Sequence, residues 1–222
     1  MTNPTLTVEI LRSESKQFSI DESLHKEPSL YGITDGKAIG TYLEHKFISY
    51  LSEKYTFQLG NSANGIDFPG LNVDMKVTSI KQPQSSCPFK SARQKIYGLG
   101  YSLIVFVYDK IDIEIQKTAT LQITNTVFIE ENQTADYQLT RGLRQILENN
   151  GNEDDLMAFM AEKNLPVDEI ELKKLADELL SKKPEQGYLT ISNALQWRLQ
   201  YKRVIEEAGK QLGLISIFKR QQ

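Results

Sequence analysis

The stretch Tyr101 to Tyr108, Y-S-L-I-V-F-V-Y, is the most apolar run in the chain and limits the fold more than any other feature. Its β-branched and aromatic content reads as a strand, and a strand so uniformly apolar is buried on both faces at the centre of a sheet. The fold class this implies is α/β (α+β): a mixed central β-sheet flanked by helices, with a helical C-terminal section. At 222 residues the chain can bury a full core of this kind.

The remaining elements are read around that strand. Residues 1–30 show no clear period and read as an irregular lead-in with one short strand at Leu6 to Leu11. Thr34-Asp35-Gly36 signals a helix start, and Ile39, Leu43, Phe47 and Leu51 recur at helical spacing up to about Lys54. A short strand or its approach follows at Tyr55 to Leu59, then a connecting loop from Gly60 to Gly65. Its glycines fit neither a Walker A loop nor a dinucleotide fingerprint. After a strand ending near Ile80, a polar loop leads to a short helix from about Ser91. Beyond Tyr108 a turn near Asp109-Lys110 precedes a strand through Ile111, Ile113 and Ile115, and another strand lies within Ala119 to Ile129. From Tyr137 the pattern is helical and acidic, punctuated by Pro166 and Pro184. A last helix is expected over Thr190 to Gln211, and Leu214 to Phe218 as an edge strand. The division this suggests is a core over residues 1–135 and a mainly helical section over 136–222, which completes the domain or forms a DNA-binding appendage.

Composition removes several classes of function. No run approaches the roughly 18 apolar residues of a membrane span, and the N-terminus lacks a targeting pattern, so a cytoplasmic protein is expected. Cys87 stands alone, which excludes an internal disulfide and a multi-cysteine zinc site; His25 and His45 read as ordinary polar residues. The net charge of -3 argues against indiscriminate DNA binding, but the charge is unevenly spread. Lys76, Lys81, Lys90, Arg93 and Lys95 follow one another with no acid between them, and many of the acids crowd into Glu148 to Glu185.

The chemistry concentrates in Gly65 to Ile80, G-I-D-F-P-G-L-N-V-D-M-K-V-T-S-I. Val73, Met75 and Val77 alternate with Asp74, Lys76 and Thr78, the period of a strand, so Asp74 and Lys76 face the same way roughly 6 to 7 Å apart. The Pro69-Gly70 turn can return Asp67 to the side of Asp74. Two adjacent carboxylates raise each other's pKa unless a cation sits between them, and an oxygen-loving divalent ion such as Mg2+ answers that need. A surface Asp–Lys pair is the plainer alternative. Glu44 lies at the edge of the buried stripe of the first helix, as a functional carboxylate or as a boundary residue.

A helix with Glu44, a turn at Asp67, a strand with Asp74-x-Lys76, a basic loop and a central apolar strand together resemble the PD-(D/E)xK nuclease superfamily, and within it the type II restriction endonucleases. The short gap from Asp67 to Asp74 is most similar to the branch holding the mismatch-repair strand-nicking endonuclease and restriction enzymes cutting at GATC. Ile66 stands where the motif's name has Pro, and Asp74 where Glu is frequent; neither change removes a metal ligand. The resemblance covers about Gly36 to Tyr108. It implies a sequence-specific double-stranded DNA endonuclease leaving 5'-phosphate ends. Asp67, Asp74 and the backbone carbonyl of Met75 would hold Mg2+, Lys76 would orient the attacking water or stabilise the phosphate, and Glu44 would assist. Lys81, Gln84, Lys90, Arg93, Gln94, Lys95 and Lys202 are the candidate DNA contacts, and a homodimer matched to a palindromic site is the expected assembly. The alternatives are a repair or strand-nicking nuclease and a non-catalytic DNA-binding protein.

Overall fold

A computed structural model describes residues 3–60, 65–87, 90–192 and 197–221. The chain forms two compact units, Met1–Gln84 with Ser102–Ile129 and Glu207–Gln222, and Ser85–Tyr101 with Glu130–Glu206.

The first unit is built on a four-stranded mixed sheet. Its strands are β1 (Val73–Ser79), β3 (Ser102–Ile113), β4 (Thr118–Ile129) and β7 (Leu214–Lys219), in the order β1-β3-β4-β7. β1 and β3 run parallel, with Asp74 opposite Leu103 and Lys76 opposite Val105; β3 with β4 and β4 with β7 are antiparallel. β3 is central, as its composition requires: every side chain from Leu103 to Tyr108 is buried, on both faces. Two helices, α1 (Val8–Glu22) and α2 (Gly36–Ser52), pack on the sheet, α1 against β4 and β7 and α2 against β1. Asp35 caps α2, its carboxylate accepting from the amides of Lys37 and Ala38 at 3.0 and 3.2 Å. Ile39, Leu43, Phe47 and Leu51 are the buried stripe. Phe47 meets Phe18 of α1 at 4.8 Å and Phe106 of β3 at 5.1 Å between ring centroids, which locks both helices to the central strand.

The second unit holds a three-stranded sheet in the order β2-β6-β5, from β2 (Gln84–Cys87), β5 (Thr190–Ile191) and β6 (Trp197–Gln200). Its helices are the four-residue α3 (Gln94–Tyr97), α4 (Tyr137–Glu148), α5 (Glu153–Glu162), α6 (Glu169–Ser181) and α7 (Lys202–Glu207). Ile96, Leu139, Leu143, Leu156, Met160 and Leu175 are among its core. Asp136 ties helix to sheet, one oxygen accepting from the Leu139 amide at the start of α4 and the other from the Ile191 amide of β5.

Several segments depart from the expectations. The N-terminal lead-in is not irregular and holds no strand at Leu6 to Leu11: α1 occupies it, capped by Thr7. Its buried face includes Ser15 and Ser19, whose hydroxyls bond back to the carbonyls of Leu11 and Ser15 at 2.6 Å, and polar residues on the inner face hide the helical period. Among the described residues Tyr55 to Leu59 makes a single bridge, Thr56 with Thr5. No turn interrupts β3 at Asp109-Lys110; the strand continues to Ile113, Lys110 pairs with Asp112 along it, and the turn comes at 114–117 with Lys117 at φ 50. The polar loop after Ile80 contains β2. The expected helix over Thr190 to Gln211 is β5, β6 and the short α7. Trp197, Tyr201 and Val204 imitate helical spacing, but Trp197 and Leu199 are buried while Arg198 and Gln200 are exposed, the alternation of a strand. Positions 61–64 of the connecting loop, 88–89 of the basic loop and 193–196 of the expected last helix lie outside the described residues.

Phe18→Ala should cost about 3–5 kcal/mol of unfolding free energy, the usual loss for a buried aromatic. Urea denaturation followed by circular dichroism checks it, and a cost below about 1 kcal/mol would show that α1 is not part of the core.

Candidate active site

The turn before β1 sets the geometry. Pro69 fixes the start of a single 3-10 turn, Pro69–Leu71, and Asn72 reverses the chain in the left-handed region at φ 54, a conformation asparagine tolerates. Phe68 and Val73 then pair as an isolated bridge, their amides and carbonyls exchanging bonds of 3.0 and 3.3 Å. That closure returns Asp67 to the strand, and its Oδ2 accepts from the Met75 amide at 2.9 Å.

On β1 itself, Asp74 is only 2 % exposed, and the Lys76 ammonium lies 2.6 Å from its Oδ2. The Lys76 approach is not well aligned for a hydrogen bond to Oδ2, so the buried oxygen keeps lone pairs unused. Burial pushes the Asp74 carboxyl up to about 7, with the nearby Asp67 carboxylate adding to the rise and Lys76 opposing it. For Lys76, burial favours the neutral amine, but attraction to Asp74, Asp67 and Glu44 outweighs it and raises the pKa. Glu44, half-buried on α2, is also raised, first by burial and then by Asp67, against the pull of Lys76 and His45. Three carboxylates and one ammonium thus share one field, and an ionised cluster is two negative charges in excess. Among the described residues no three His, Cys, Asp or Glu converge as a ready-made metal cage. The donors present are oxygens, which suit a hard cation that keeps several waters.

The structure brings Glu44, Asp67, Asp74 and Lys76 together and spreads the candidate DNA contacts over both units. In the first, Lys81 is exposed, 4.0 Å from Asp109, and the Gln84 amide donates to Thr78 Oγ1 at 2.9 Å. In the second, Lys90 and Lys202 are exposed. Arg93 is ion-paired with Glu178 and lies 3.9 Å from Glu171, while Gln94 Nε2 donates to the Leu99 carbonyl at 2.9 Å. Lys95 is 4 % exposed, its ammonium 5.8 Å from the Trp197 ring centroid. Thr78 was not singled out from the sequence. It is the next residue on the face of Asp74 and Lys76, is buried, and pins the loop that leaves β1; the same two-residue step that pairs Asp74 with Lys76 points to it.

A family model for the type II restriction enzyme NspV matches residues 5–216. The type II restriction enzyme NspV of Nostoc sp. (strain ATCC 29411 / PCC 7524) is 64% identical over 214 residues, covering 96% of this chain and 97% of the relative. No solved structure matches.

The Asp74 shift has a measurable sign. With a folded pKa of about 7 against 3.8 unfolded, the folded protein holds an extra proton between those values, so this stabilising contribution is complete below pH 3.8 and lost as pH rises through about 7. In metal-free buffer the melting temperature of the parent should therefore fall relative to Asp74→Asn between about pH 4 and pH 8. Thermal melts across that range check it, and a constant difference would rule out a titrating Asp74.

Proposed function

The chain belongs to the NspV family of type II restriction enzymes, and from that premise we propose that the Glu44, Asp67, Asp74 and Lys76 cluster is its catalytic centre. It is a sequence-specific double-stranded DNA endonuclease, and the reaction is hydrolysis of a phosphodiester to a 5'-phosphate and a 3'-hydroxyl. The observation that carries the assignment is the buried Asp74 carboxylate, with an oxygen left without a hydrogen bond beside an ammonium and a second carboxylate.

The family acts with a divalent metal, and the residues fit Mg2+: an oxygen-only donor set, an excess of negative charge and an orphaned buried oxygen. Asp67, Asp74 and the Met75 carbonyl would hold it. When bound, Mg2+ offsets charge on the scissile phosphate and acidifies water. The chain's own groups do the rest. Lys76, kept protonated by Asp74, donates to a non-bridging phosphate oxygen as charge builds there, a role that the raised pKa favours over that of a base. Glu44, pushed upward by burial, is the carboxylate suited to take the proton of the attacking water. Asp67 is held for this task by its bond to the Met75 amide.

DNA contact is assigned to Lys81, Gln84, Lys90, Arg93, Gln94, Lys95 and Lys202, with the exposed Lys81, Lys90 and Lys202 best suited to phosphates. Arg93 would have to leave Glu178, and Lys95 the interior, to take part. Lys202 comes from the mainly helical 136–222 section, proposed to complete the domain begun by residues 1–135, to whose sheet it contributes β7, rather than to form a separate DNA-binding appendage. A homodimer is proposed because a two-fold protein presents two such centres to a palindromic site, and the cytoplasm as the compartment where DNA is met.

Purified protein incubated with unmethylated phage DNA should give discrete bands with Mg2+ and none with EDTA. Asp74→Ala and Lys76→Gln should each lower cleavage by at least about 10²-fold, with DNA binding retained in a gel-shift assay. Parental cleavage by either variant would remove that residue from the mechanism; single-strand nicks in place of fragments would favour a strand-nicking enzyme.

A further inference from the structure

We infer that Gly60 is a positioning residue for Asp67, a backbone strap that holds the carboxylate where β1 can use it; the inference rests on the catalytic reading of Asp67 given above. Asp67 lies outside the sheet. Its side chain is fixed at one end by the Met75 amide, and its chain neighbour Phe68 is fixed by the bridge to Val73. On the remaining side the Gly60 amide donates to the Asp67 carbonyl at 2.9 Å. The segment after α2 thus returns to grip the residue before the Pro69 turn.

The approach is too close for any side chain. A Cβ at Gly60 would stand 2.1 Å from the Ile66 carbonyl oxygen and 3.0 Å from both Cα and O of Asp67. All three are backbone atoms, so no rotamer change relieves the clash: either the Gly60 segment is pushed off Asp67 and the strap is lost, or residues 66 and 67 move. The backbone of Gly60 is not left-handed and the residue is exposed, so neither conformation nor core packing calls for glycine there. What remains is close approach. A shift of Ile66 and Asp67 swings the carboxylate off the Met75 amide, and a displacement of about 1 Å at a reacting group costs roughly 10²-fold in rate.

Amide hydrogen exchange tests the strap directly. In the parent protein the Gly60 amide should exchange about 5- to 10-fold more slowly than an open exposed amide. In Gly60→Ala the Met75 amide should exchange faster while those of Ile104 and Val105 on β3 keep their protection. Cleavage should fall about 10²-fold, more Mg2+ should be needed for half-maximal rate, and DNA binding should be unchanged. An unprotected Gly60 amide in the parent overturns the inference, and so does a Gly60→Ala protein with parental Met75 protection and parental cleavage. Should the variant not fold, the parent's Gly60 amide decides alone. Asp67→Asn separates the two claims: parental cleavage by that variant removes the catalytic reading of Asp67, whereas the exchange data still judge the strap.

Discussion

Burying the Asp74 carboxylate is the constraint on which the site depends. A lone charge in a protein interior costs several kcal/mol, and the usual remedies are a partner, a set of hydrogen bonds, or a proton. Here all three are incomplete: Lys76 approaches at 2.6 Å without a well-directed hydrogen bond, Asp67 adds repulsion, and the carboxyl is pushed up to about 7. A structural ion pair would close its hydrogen bonds. An unclosed one, with excess negative charge around it, is the setting that the proposed cation would complete.

That arrangement needs a rigid and dry surrounding, which the sheet supplies. β1 is pinned by seven consecutive parallel pairings to β3, whose side chains are buried on both faces, and by α2, whose Phe47 meets the Phe18 and Phe106 rings. The same packing that stabilises the first unit therefore desolvates Asp74 and Glu44. Rigidity of the strand fixes Asp74 and Lys76, while Asp67, off the sheet, is held by separate bonds to Met75 and Gly60. The two carboxylates reach one place by different means.

The recurring elements were legible because their periods are undisturbed. β3 announced itself by composition, α2 by Ile39, Leu43, Phe47 and Leu51 behind an Asp35 cap, and β4, β7 and the helices α4 to α6 by ordinary alternation or helical spacing. α1 was hidden because Ser15 and Ser19 occupy its inner face, where their hydroxyls are satisfied by the helix's own carbonyls and, for Ser19, by Thr126 at 2.7 Å. β6 was hidden because a four-residue strand followed by a short helix carries too few repeats to separate a period of two from one of 3.6.

At the site, the sequence by itself determined the reagents and one spacing. Asp74 and Lys76 share a face because a strand repeats every two residues, and Pro69-Gly70 marks a turn wherever the chain goes next. Only the tertiary structure decided what those reagents experience. The depth of Asp74, the return of Asp67 to the Met75 amide, the approach of Glu44 from α2 and the close passage of Gly60 all join residues distant along the chain. The same holds for Arg93, which reads as a free cation in sequence and stands against Glu178, 85 positions away. Local spacing is set by backbone geometry, but burial and charge are sums over neighbours in space, and folding chooses those neighbours.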